Sequence, residues 1–123
     1  LAHTTNDLEL YNIKPKFDYE FNGGSAIVHI CDSIHYNAIK NNDYTYYKKY
    51  IKNTNQKDHN LRTFMRLQNN FNLKKIKPIS IKFNNRLDKY IVSDGCHRLS
   101  ILVYKKYFHE NNIPKEFLKI KKV

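Results

Sequence analysis

The chain has 123 residues, enough to bury a core in one domain without disulfides or a structural metal. A hydrophobic fraction of 41% with 14% aromatics excludes a disordered chain, and no apolar run approaches the roughly 18 residues that cross a bilayer. The formal charge of +11 is carried by lysines spread along the whole sequence, so composition leaves a nucleic-acid partner open without favouring it.

Leu1, in place of an initiator methionine, is read as the start of a processed or excised piece or as part of an added remnant at "LAHTTN", and that stretch carries no functional argument. With no secretory n-region and h-region at the start and no membrane insertion, the expected compartment is the cytoplasm. There Cys31 and Cys96, far apart and without metal-type spacing, stay reduced. Residues 1–24 are predicted as an irregular lead-in or an edge hairpin, because Pro15 and the pair Gly23-Gly24 oppose a helix. Residues 25–123 form the domain. Within it "SAIVHI" (25–30) is β-branched and apolar and predicts the first central strand, with Cys31 a small buried hydrophobe at its end.

The stretch 32–53 has serine or acid at a plausible N-cap and Tyr36, Ile39, Tyr47 and Ile51 at helical spacing, with "NND" (41–43) dividing it into two short helices. Tyr44, Tyr46, Tyr47 and Tyr50 beside Lys48 and Lys49 could stack bases, but such a run fits a helix with half-buried tyrosines better. Residues 59–71 give the clearest amphipathic helix. Leu61, Phe64, Leu67 and Phe71 lie on one face, and His59, Thr63 and Arg66 lie together on another.

Pro78 then opens "ISIKF", which alternates as a half-buried strand does, and the turn "NNRLD" returns it as "KYIV" in an antiparallel pair. "CHRLSILVYKKYFHEN" is apolar over too wide an arc for a surface helix, so it packs against the sheet. A turn at Ile113-Pro114 and a strand near 117–122 complete an α+β layout, a small mixed sheet with helices packed on it.

The concentration of chemistry is "SDGCHR" (93–98), at the junction of the second hairpin strand and the following helix. Backbone N–H groups at a helix start have no intrahelical partner and carry partial positive charge, which favours an anion such as a phosphate. Gly95 permits a tight turn and close approach, Arg98 offers a planar fork, and His97 can donate or carry a proton. Cys96, if exposed there, would have a lowered thiol pKa. Asp94 would repel an anion unless it binds Mg²⁺ or accepts a proton from an attacking hydroxyl. The competing reading is a capped turn in which Asp94 is the N-cap and His97 and Arg98 are solvated. His35, at the start of the first helix, and the face of His59, Thr63 and Arg66 are the other candidates to line the site.

"YIVSDGCHRLSIL", with "IKPISIKF" before it and "NNIPKEFLKI" after it, resembles the ParB/sulfiredoxin superfamily over roughly residues 76–120. The resemblance to sulfiredoxins rests on Gly95-Cys96-His97-Arg98 and implies an ATP-dependent reductase in which Cys96 acts as a thiolate; Asp94 departs from it. The resemblance to ParB-like kinases rests on the D-G-x-H-R pattern of Asp94, Gly95, His97 and Arg98. It implies ATP or ADP with Mg²⁺, Asp94 near the metal or the acceptor hydroxyl, and His97 and Arg98 on the nucleotide phosphates. The catalytic glutamate of those kinases has no match, and Asp32 and His35 occupy its neighbourhood. DNA-partitioning ParB proteins bind CTP through a related box, but they also carry a helix-turn-helix domain for which this chain is too short. Residues 32–64 further resemble ParB-like proteins associated with surface-polysaccharide gene clusters, which implies a sugar or polyol acceptor. The expectation is therefore a kinase acting on a hydroxyl of a small molecule or glycan. Asp94, Asp32 and His35 are its catalytic candidates, Asp94 its metal ligand, and Gly95, Cys96, His97, Arg98, His59, Thr63 and Arg66 its nucleotide-binding set. The alternatives are thiol chemistry at Cys96 and a non-catalytic nucleic-acid-binding module.

Overall fold

The structure, a computed structural model, describes residues 11–14, 26–54, 60–107 and 113–121. Strands β1 (Tyr11–Lys14), β2 (Ala26–His29), β3 (Ile79–Asn84), β4 (Lys89–Asp94) and β5 (Leu118–Lys121) form a mixed sheet in the order β2-β1-β4-β3-β5. Helices α1 (Ile34–Asn41), α2 (Thr45–Thr54) and α3 (Leu61–Asn69) lie between β2 and β3, and α4 (Cys96–Tyr104) joins β4 to β5. Short 3₁₀ turns at Ile30–Asp32 and Lys115–Phe117 precede α1 and β5. The domain is a small α+β fold with one mixed sheet.

Two expectations about the sheet change. Residues 11–14 join it, with β1 antiparallel to β2 and parallel to β4. Because main-chain pairing occupies both of its sides, this stretch of the lead-in is an interior strand, and β2, expected in the centre, is an edge among the described strands. The predicted hairpin is present: β3 and β4 pair antiparallel around residues 85–88. Asp88 there takes a left-handed φ of 54°, and the Asn84 Oδ1 accepts from the Leu87 N–H at 3.0 Å.

Local chemistry sets the helix ends. Ser33, fully buried, accepts the Tyr36 N–H at 3.0 Å as the N-cap of α1. Asn42 ends α1 in the left-handed region at φ 48°. Asp43 then accepts from the N–H (3.1 Å) and the hydroxyl (2.7 Å) of Thr45, which holds its carboxyl below the usual range and starts α2. "NND" is therefore the break the sequence predicts. Asn60 caps α3 through the Thr63 N–H at 2.9 Å.

α4 is the element both cores share. Towards the sheet, Leu99, Leu102 and Val103 pack with Ile79, Ile81, Tyr90 and Val92, joined by Ile30 and Ile113. On its other side Ile101 packs with Ala38, Ile39, Tyr47 and Phe64 from α1, α2 and α3. Burial on both sides explains why its apolar arc is so wide. The same packing fixes the position of its first turn.

Candidate functional site

The turn into α4 is built by three residues. β4 carries one extra residue near its end: Ile81 pairs with Val92 but Ser80 pairs with Asp94, leaving Ser93 unmatched. The Ser93 hydroxyl donates to the Ser80 carbonyl at 3.2 Å, which steadies the irregularity. Gly95 follows at φ 109°, a conformation that suits glycine. A Cβ there would lie 2.9 Å from Arg98 Nη2 and 3.3 Å from Ile79 Cγ1. The Gly95 carbonyl accepts the Leu99 N–H at 2.8 Å to open the helix, and Gly95 as N-cap has no side chain to contribute.

Arg98 closes this turn from below. Its Nη1 donates to the carbonyls of Lys77 (2.8 Å) and Pro78 (3.2 Å), and its Nη2 pairs with Asp94 at 3.3 Å. Its side chain is 15% exposed, whereas that of Asp94 is 66% exposed. The guanidinium expected on phosphates is thus already ligated by the segment leading into β3. Asp94 is neither the N-cap nor buried; its carboxylate stands in solvent at the mouth of the turn.

His97, one residue before Arg98 and about 100° round the helix, points the other way. Its Nε2 is 3.0 Å from the Tyr47 hydroxyl, which also reaches the carbonyl of Asn60 at 3.4 Å. A hydroxyl has one proton. Directed at Asn60, it leaves the phenolic oxygen to accept from His97 Nε2–H. His35, 2% exposed, sets its ring edge-on to His97 with centroids 4.4 Å apart, and Phe64 does the same at 4.8 Å. Burial, reinforced by Tyr50 and Tyr44, pushes the Tyr47 hydroxyl well above the ordinary tyrosine range, so it remains a neutral phenol.

These contacts bring three helix starts together. His35 and His97 are the second residues of α1 and α4, and Asn60 is the N-cap of α3. Positive ends of three helix dipoles therefore face one neighbourhood. Cys96, the first residue of α4, is half-buried, and its thiol is pushed up to about 12. Burial is the main cause and the Asp94 charge adds to it; Arg98 and a backbone hydrogen bond oppose them without prevailing.

The other predicted residues lie apart. Thr63 and Arg66 are exposed on α3, and the residue this helix turns towards the box is Phe64. Asp32 is exposed in the 3₁₀ turn after β2, with no hydrogen bond or ion pair to 93–98 among the described residues. His59 lies outside the described residues. The sequence reading placed Tyr47 on a helix but did not connect it to His97, fifty residues away; no local signal carries that contact. Among the described residues no group of three or more His, Cys, Asp or Glu could hold a metal ion, and no helix is long and apolar enough to cross a membrane. Comparison with protein-family models, curated proteins and solved structures returned no match.

Proposed function

We propose that the chain is an ATP-dependent phosphotransferase of the ParB/sulfiredoxin fold, with nucleotide phosphates held at the Gly95 turn and a hydroxyl of a small molecule or glycan as acceptor. The observation that carries this reading is the start of α4: a helix N-terminus that follows a left-handed glycine, with the starts of α1 and α3 beside it. An anion there receives backbone N–H groups and the field of more than one helix without needing a lysine.

The residues divide the work unequally. Gly95 supplies the left-handed backbone from which α4 starts, and the Arg98 guanidinium and Ile79 fill the space that a Cβ there would need. Arg98 acts through the turn, holding residues 77–78 against Asp94, and so is a positioning residue. Asp94, exposed at the mouth, is placed to accept the acceptor's proton or to share Mg²⁺ with phosphate oxygens. A single carboxylate suits Mg²⁺, which keeps several waters and takes its remaining ligands from substrate phosphates. When bound, the ion would offset phosphate charge during transfer. His97 supports the turn from inside, its Nε2 held by Tyr47.

Thiol chemistry at Cys96 is the weaker reading. With its thiol pushed up to about 12, Cys96 remains protonated at neutral pH, whereas the nucleophile would have to be the thiolate. Calorimetric titration with ATP and ADP, with and without Mg²⁺, tests the proposal. The parent chain should bind nucleotide, and Asp94→Asn should lose the Mg²⁺ dependence while retaining some nucleotide affinity. Absence of binding by the parent chain sinks the reading.

A further inference from the structure

The sheet has a second face, away from α4, and its charge is one-sided. Ile79 and Ile81 on β3, Tyr90 and Val92 on β4 and Leu118 on β5 point towards α4. By alternation Ser80, Lys82 and Asn84 of β3, Lys89, Ile91 and Ser93 of β4, and Lys119 and Lys121 of β5 face the other way. Lys82, Lys119 and Lys121 are all exposed. The register sets Lys82 directly opposite Lys121 and Ser80 opposite Lys119. Neither β3 nor β5 contains an acid, and the one acid of β4, Asp94, is paired with Arg98 at the end of the strand.

This arrangement has a cost. Like charges directly opposite on a sheet repel, and neighbouring strands are only about 4.8 Å apart. Lysines on edge strands commonly guard against unwanted strand pairing, which would account for Lys119 and Lys121. It does not account for Lys82, because β3 lies between β4 and β5. Ser80 and Ile91 on this side are covered, at 7% and 4% exposed, so the accessible part is the strip of exposed lysines, and a polyanion laid along it would turn the repulsion into attraction. With no exposed aromatic residue on these outward positions to stack bases, the chemistry matches a phosphate backbone rather than splayed bases.

We infer that this face of β3 and β5 binds the phosphate backbone of a nucleic acid, without sequence readout, through Lys82, Lys119 and Lys121. The inference does not depend on the nucleotide site, which lies at the start of the helix on the opposite face. A labelled DNA duplex of about 20 base pairs, titrated by fluorescence anisotropy between about 50 and 200 mM salt, tests it. Each phosphate contact contributes about 0.9 to the salt slope. The triple variant Lys82→Gln, Lys119→Gln, Lys121→Gln should therefore lower the slope by about 2 to 3 and weaken low-salt binding at least about tenfold. Replacing the same three residues by arginine should preserve the slope. A charge-matched control, Lys40→Gln, Lys48→Gln and Lys52→Gln on exposed positions of α1 and α2, should change it by less than about one. Equal losses in the two glutamine triples would reduce the effect to net charge and overturn the inference. So would failure of the parent chain to bind the duplex, or binding of heparin through these lysines with no binding of DNA.

Discussion

The two sides of the first turn of α4 are made of different materials. Towards solvent, Arg98 ties two main-chain carbonyls and one carboxylate around Gly95, a lock of directional polar contacts. Towards the interior, His97 sits in a nest of His35, Tyr47 and Phe64, where ring packing does most of the holding and one hydrogen bond sets orientation. Two adjacent polar residues thus meet opposite environments, because one step along a helix rotates a side chain by about 100°. The polarity of "SDGCHR" is therefore divided. Arg98 and His97 serve the architecture of the turn, and Asp94, though paired with Arg98, keeps its carboxylate 66% exposed to solvent.

The interior side should break hardest. Phe64 is 1% exposed and its ring contacts His35, Tyr44, Tyr47 and His97 at once. Phe64→Ala should cost about 3–5 kcal/mol, the range for losing a buried aromatic ring. Urea denaturation gives the value. A loss below about 1 kcal/mol would mean that the nest collapses around the gap and that ring packing is not what holds it.

On the solvent side the cost should be smaller and separable. Gly95→Ala places a Cβ at φ 109° and 2.9 Å from Arg98 Nη2, so backbone strain and a side-chain clash add. Together they should destabilise by about 2 kcal/mol, within the usual range for a strained residue. Adding Gly95→Ala to an Arg98→Ala background should cost less than it does in the parent, since only the backbone strain and the Ile79 contact remain. Strictly additive losses in that double-mutant cycle would show that Arg98 does not press on the turn.

How much of this was legible in the sequence follows the same division. The hairpin of β3 and β4, the break at Asn42, and α3 with its apolar face were readable because alternation, helical spacing and cap residues are local signals. The start of α4 at Cys96 was readable for the same reason, with glycine immediately before it. What was not readable depends on distant partners. The main-chain pairing that draws Tyr11–Lys14 between β2 and β4 leaves no mark in four residues flanked by Pro15. The meeting of His97 with Tyr47 and His35 is likewise fixed by how α1, α2 and α4 pack. Arg98 seemed a phosphate ligand because its carbonyl partners, Lys77 and Pro78, lie twenty residues upstream. Side chains in a polar motif advertise what they can do, and the fold decides which of them remain available.

Cys96 lies between the two sides and gives the smallest effect, readable as a pH dependence. Its folded pKa, pushed up to about 12, exceeds the ordinary thiol value, so the native state keeps the proton where the unfolded chain has lost it. Stability attributable to this thiol is full below the unfolded pKa and declines as pH rises from there towards about 12, because the unfolded state binds fewer protons over that window. Tyr47, also raised, bends stability in the same direction from a higher starting pH, so the two must be separated by variant. Cys96→Ala should flatten the alkaline decline, and the remaining slope should lessen in Tyr47→Phe. The direct measurement is alkylation of native Cys96 by iodoacetamide against pH, in a Cys31→Ala background. A reaction midpoint well above the ordinary thiol range agrees with a proton held by burial beside Asp94. A midpoint near or below neutrality would mean that the field of the helix start outweighs burial, and it would restore thiol chemistry as the better account of the turn.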